Sequence, residues 1–205
     1  MQLVNNDDII KEDIFIKKNI LFIVVLIGLL SNTIFAMTPT WPNDAKFNRS
    51  VSNAYYYVDS SASSYTYQIN DAIDNWIDTG YGWNPIYIYP VSSNYATHID
   101  FYKMSYSQDS ILDSNTGAYT SFWDIYENPI TSLGSAPYSN YFYTEVRINS
   151  SINLPTKGIK HEIGHCFGLN HYDNNNYSIM FPYLDGMAVS TVQQCDHDTI
   201  NYLYN

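Results

Sequence analysis

Three of the five histidines in this chain fall within HEIGHCFGLNH, residues 161–171, with Glu162 beside the first and Gly168 between the second and third. Imidazole nitrogens can ligate a divalent cation, and a carboxylate can move a proton beside it. On an α-helix His161 and His165 stand one turn apart on the same face, so both rings can reach one ion. Glu162 follows the first ring and can hold a water bound to that ion. The same helix cannot supply a third ligand, because ten residues would carry His171 about 15 Å along the axis and onto another face. The helix must therefore end. Gly168 lies where the turn should fall, since glycine accepts the left-handed backbone that terminates helices, and its task is to aim His171 at the ion.

Three neutral imidazoles leave a tetrahedral zinc with one open position, the arrangement of a catalytic rather than a structural site. Zinc lowers the pKa of a bound water from about 15.7 toward ~7 and so makes a nucleophile at neutral pH. Glu162 then accepts the water's proton and delivers it to a departing amine, which is peptide hydrolysis without a covalent intermediate. A structural zinc would leave Glu162 without a task. HExxH alone arises by chance, but the longer pattern fixes five positions in eleven.

The elements that must position these residues read as an α+β domain. Ala54 to Asp59 alternates as a strand, and Ser60 to Ser64 is a loop able to cap a helix. In YQINDAIDNWID, residues Ile69, Ala72, Ile73, Trp76 and Ile77 fall at helical spacing and predict one buried stripe, ending before Thr79-Gly80. Ile86 to Tyr89, His98 to Tyr106, Gly117 to Trp123 and Tyr141 to Asn149 read as further strands, the last with Phe142, Val146 and Ile148 on one face. Pro155 suits the first turn of the helix carrying the histidines. Asp196 can cap a final helix with Ile200, Leu203 and Tyr204 as its apolar stripe. His98 and His197 stand alone and read as ordinary polar residues.

Residues 1–36 carry Lys17-Lys18, an apolar run from Ile20 to Leu30 and a small residue, Ala36, at the end of SNTIFA. That order predicts a signal peptide, with an uncleaved anchor as the alternative, and an exported, extracellular chain spanning 37–205. The run is short of the ~20 apolar residues of a spanning helix. Removing the leader's three lysines and four acids leaves six basic and sixteen acidic residues, net −10. Such a surface argues against nucleic acid and anionic membranes as partners. The 21 tyrosines suit a half-buried pleated sheet better than a sugar-binding face. Cys166 and Cys195 are an even pair in an export context, and a bridge between them would close a loop of about thirty residues, worth ~3 kcal/mol.

At this point the chain resembles a known group: HEIGHCFGLNH is similar to the extended zinc motif of the metzincin endopeptidases. Ser178-Ile179-Met180, nine residues after His171, matches the methionine turn beneath that family's metal. Phe181-Pro182 after it, and the tail DHDTINYLY, look like the matrixin branch. The resemblance spans Trp41 to Asn205, with its specific motifs confined to residues 161–183. It implies a twisted, mostly parallel sheet with an antiparallel edge strand, two long helices and a C-terminal helix below the zinc. It implies one catalytic zinc on His161, His165 and His171, Glu162 as base, and Met180 as floor. By order along the chain, GAYTSFW is the edge strand that pairs an extended peptide substrate, so Tyr119 and Thr120 are expected to bind substrate together with Pro182 and Tyr183. The chain departs from the pattern at Tyr172, where matrixins usually carry serine. Pro182 occupies the place of the tyrosine that ligates zinc in astacins and serralysins, and Tyr183 is read as pocket wall. Calcium is compatible with so acidic a chain, though no EF-hand-type loop is visible. The expected protein is a secreted, monomeric zinc endopeptidase, its rival a non-enzymatic adhesin on the same scaffold. The intact Glu162 speaks against that rival.

Overall fold

The computed structural model describes residues 36–205, so the leader expected over residues 1–36 lies outside the described residues apart from Ala36. Three consecutive tyrosines form the middle of strand β1 at Ala54–Val58. Asp59 ends it: its carboxylate accepts the Ser61 N–H and opens a 3-10 turn over Ser60–Tyr65. That turn leads into helix α1, Thr66–Ile77, whose Ile69, Ala72, Ile73 and Trp76 are buried as the helical spacing requires. Strand β2 runs over Ile88–Val91, two residues later than expected, because Asn84 Oδ1 takes the Ile86 N–H before any strand can. Strands β3 (Ile99–Met104), β4 (Ala118–Trp123) and β5 (Tyr143–Asn149) follow.

The sheet order is β2-β1-β3-β5-β4. Its first three joins are parallel, and β4 lies antiparallel to β5 at the edge. Parallel neighbours need crossover connections, which the α1 segment supplies between β1 and β2. One sheet face carries Tyr56, Ile99, Phe101, Phe122, Val146 and Ile148, all in one apolar cluster with Ile69, Ile73 and Trp76 of α1. Phe142 precedes β5 and is only half-buried, with the Arg49 guanidinium over its ring.

Helix α2, Thr156–Cys166, contributes Ile159 and Ile163 to that cluster and is buried from Gly158 to Cys166. Pro155 is the residue capping its start rather than part of its first turn. Trp76 of α1 donates its indole N–H to the Lys160 carbonyl (2.8 Å), fixing one helix against the other. Helix α3 spans Gln194–Tyr204, with Ile200 and Leu203 buried. Asp196, expected as its cap, is instead the third helical residue and accepts the N–H of the capping Gln193. Residues 36–205 form one compact unit, and the architecture is α+β with the C-terminal helix the sequence called for.

Candidate metal centre and cleft

The reversal after the second histidine is a hydrogen-bonded helix stop. Gly168 has φ 103°, its N–H bonds to His165 O, and the Leu169 N–H reaches back to Gly164 O, both at 3.1 Å. These are the two bonds of a Schellman stop, in which the left-handed residue is usually glycine. A Cβ on Gly168 would also lie 2.9 Å from Leu203 Cδ1 and 3.0 Å from the Ala45 carbonyl oxygen. Glycine is therefore needed for conformation and for space. Beyond it the chain returns and brings His171 to the other two rings: one nitrogen from each of His161, His165 and His171 lies within 4.8 Å of the others. His165 Nε2 and His171 Nε2 are 3.2 Å apart.

Main-chain carbonyls set the ring orientation. His161 Nδ1–H donates to Ile179 O (2.9 Å), and His165 Nδ1–H donates to Leu169 O (2.8 Å). A carbonyl can only accept, so each Nδ1 carries the proton and each Nε2 keeps a lone pair. Burial holds the His161 ring down to about 4 and His165 well below the ordinary histidine range, and it lowers His171 as well. All three are thus neutral ligands at neutral pH. Two nitrogens on a tetrahedral zinc at ~2.05 Å would stand roughly 3.3 Å apart, close to the His165–His171 spacing. The donor set fits one zinc.

Glu162 is buried beside them, and burial raises its carboxyl to about 7 while a bond from Thr120 Oγ1 to Oε2 (2.8 Å) pulls the other way. Met180 packs against α2, where a Cβ on Gly164 would overlap its sulfur, so glycine at 164 makes room for the methionine. The methionine turn is anchored from below by Asp196. Its carboxylate accepts Ser178 Oγ–H (2.6 Å), Thr38 Oγ1–H (2.6 Å) and the Ile179 N–H (3.1 Å). Ile179 is also the residue whose carbonyl orients His161. From the N-terminal side Trp41 stacks on His165, with ring centroids 4.9 Å apart, and donates its indole N–H to His165 O.

Two cavities flank Glu162. The larger, about 460 Å³, is lined by His161, His171, Leu154, Pro182, Tyr183 and Leu184. Lys157 holds its wall by donating to Leu184 O (2.6 Å). Tyr183 is 71% exposed at the rim, and Pro182 lines the cavity beside it. The smaller, about 140 Å³, is lined by Trp41, Thr120, Phe122, Gly134 and His165.

One expectation needs correction. Cys166 and Cys195 are both free thiols. Cys166 faces Thr144 and Thr120 of the sheet, whereas Cys195 Sγ lies 3.7 Å from Asp196 Oδ1 and 3.9 Å from Asn175 Nδ2. The two sulfurs look into different layers, which sequence spacing cannot reveal. Tyr119 touches the smaller cavity, but its hydroxyl donates to Asp109 and meets Arg147 (3.2 Å), tying the loop before β4 to the sheet. Its main chain faces Arg147 of β5 in the ladder, so the outward edge there is formed by the main chain of its neighbours. Sequence reading passed over Trp41 and the Asp196–Ser178 contact, since nothing in the spacing ties residues 41 or 196 to the motif. The other lone histidines are structural: His98 bonds Tyr55 N–H and Ser50 O, and His197 bonds Thr79 and Asn201.

Comparison with known proteins agrees with this geometry. The family model described as Matrixin matches residues 41–205, which include every element of the fold and all three histidines. No curated protein matches the chain. Matrixins are zinc-dependent peptidases, and the histidine cluster and the mostly parallel sheet with one antiparallel edge strand agree with that family; this chain belongs to the matrixin family.

Proposed function

We propose that the protein is an endopeptidase that cuts extended peptides, with His161, His165 and His171 holding one zinc and Glu162 acting as general base and then general acid. The observation that carries this reading is the placement of Glu162: it is buried next to three converging neutral imidazoles and borders both cavities. When bound, zinc supplies Lewis acidity to the scissile carbonyl and makes water nucleophilic at neutral pH. Glu162 takes the proton released by the attacking water and returns it to the departing amine nitrogen. The free edge of β4 aligns the peptide by main-chain hydrogen bonds, and the larger cavity receives one side chain beside the cut bond. Leu154, Leu184 and Pro182 favour an apolar group there. The leader reading of residues 1–36 supports action outside the cell.

Glu162→Gln keeps the shape and removes the proton acceptor. It should retain one zinc per chain and lose about 10²–10⁴-fold of the turnover of a quenched fluorescent peptide library. Turnover within tenfold of wild type would show that another group is the base.

A further inference from the structure

We infer that Thr120 is the positioning residue for Glu162, linking the substrate-pairing edge of the sheet to the general base. The inference rests on the endopeptidase reading for its consequence, though not for its geometry. In an antiparallel ladder, main-chain groups of successive residues point alternately to the two sides of a strand. Gly117 O accepts the Asn149 N–H from the β5 side (2.9 Å). Phe122 O accepts the Ile130 N–H (3.1 Å), and the Asp124 N–H bonds Asn128 O (2.9 Å), both on the opposite side. Even-numbered residues of β4 therefore face away from β5. The returning segment 128–130 covers the edge at Phe122 and Asp124, leaving the main chain of Ala118 and Thr120 for a substrate strand.

The side chain of Thr120 leaves the sheet face instead and points into the molecule toward α2. It is 5% exposed, and its hydroxyl lies 2.8 Å from Glu162 Oε2 and 3.1 Å from Glu162 O. A hydroxyl has one proton, and the shorter contact assigns it to the carboxylate. Among the described residues no other donor reaches that carboxylate within hydrogen-bond distance. Without it, a glutamate with three side-chain torsions has nothing polar to select one of them. Threonine is suited to the task because its branched Cβ is stiff and its Cα lies opposite Val146 in a ladder that hydrogen-bonded neighbours hold in register. One residue thus presents main chain to the peptide and hydroxyl to the base. Pairing a substrate strand with Thr120 fixes the group that aims Glu162.

The test compares Thr120→Val, which keeps the shape and loses the donor, with Thr120→Ser, which keeps the donor. Thr120→Ala is the second donor-free variant should the valine fail to fold. Each is characterised by kcat and KM on a cleaved peptide and by a crystal structure of the zinc-loaded protein. Thr120→Val should lose about 10- to 100-fold in kcat with KM within about twofold, since the main-chain edge is intact, and Thr120→Ser should restore kcat to within about threefold. In the crystals the Glu162 carboxylate should leave its position, or spread over several rotamers, in the donor-free variants only. Equal kcat for Thr120→Val and wild type, or Thr120→Ser falling as far as Thr120→Val, overturns the inference. So does a loss carried wholly by KM. If the wild-type protein cuts no peptide, the endopeptidase reading fails alone, and the carboxylate position still decides: unmoved in the donor-free variants, it overturns the positioning role, and displaced, it upholds it.

Discussion

Replacing Gly168 with alanine tests whether the helix stop is what assembles the metal centre. Two separate costs follow from the structure. The left-handed backbone, φ 103°, costs a residue with a Cβ about 1–2 kcal/mol. The added methyl would also lie 2.9 Å from Leu203 Cδ1 and 3.0 Å from a backbone oxygen, Ala45 O, and overpacking of this kind costs about 1–3 kcal/mol. The leucine tip can shift, but the carbonyl is held by its chain. The sum is about 2–5 kcal/mol. Gly80 separates the two contributions, because it too is left-handed, φ 79°, and a methyl added there would meet nothing within 4 Å. Gly80→Ala should lose only the backbone part, about 1–2 kcal/mol. Urea unfolding of both variants without metal gives the stability difference, and competition with a chromophoric chelator gives zinc affinity. Gly168→Ala should lose more stability than Gly80→Ala and bind zinc at least about tenfold more weakly, because His171 is no longer aimed. Equal losses in the two variants with unchanged zinc affinity would refute the reasoning.

Two further outcomes follow from the buried polar groups. Intact mass should not change on reduction, and Cys166 and Cys195 should react with a maleimide only after unfolding; a gain of two hydrogens on reduction would show a bridge after all. Burial lowers His98 from 6.5 to about 4, so on acidification the unfolded chain takes up its proton before the folded one does. Its contribution is therefore complete above pH 6.5 and is lost as pH falls toward 4, with a total on the order of 3 kcal/mol. Urea midpoints from pH 7 to 4.5 should fall less steeply for His98→Gln than for wild type. Parallel curves would remove His98 from the account, since the three ligand histidines are common to both proteins.

The convergence of the three histidines was legible in eleven residues because it depends on local geometry. A helical turn places His161 and His165 together, and a glycine at 168 leaves one economical way to bring in His171. The stripe from Ile69 to Trp76 was equally plain, since burial of one helix face leaves a period in the sequence. The edge strand was only half legible. The stretch 117–123 was recognisable by its order along the chain, but the ladder's register decides that Thr120, rather than Tyr119, faces the open edge with its main chain, and a shift of one residue would exchange them.

By itself, then, the sequence determined which three histidines converge, which carboxylate stands beside them and where the helix stops, all carried by short-range backbone geometry. The tertiary structure alone decided which donor holds Glu162, that Asp196 of α3 braces the turn orienting His161, that Trp41 stacks on His165, and that the two thiols stay apart. Those contacts join residues from 17 to 124 positions apart, and their partners are chosen by how the layers pack, which leaves no periodic trace along the chain.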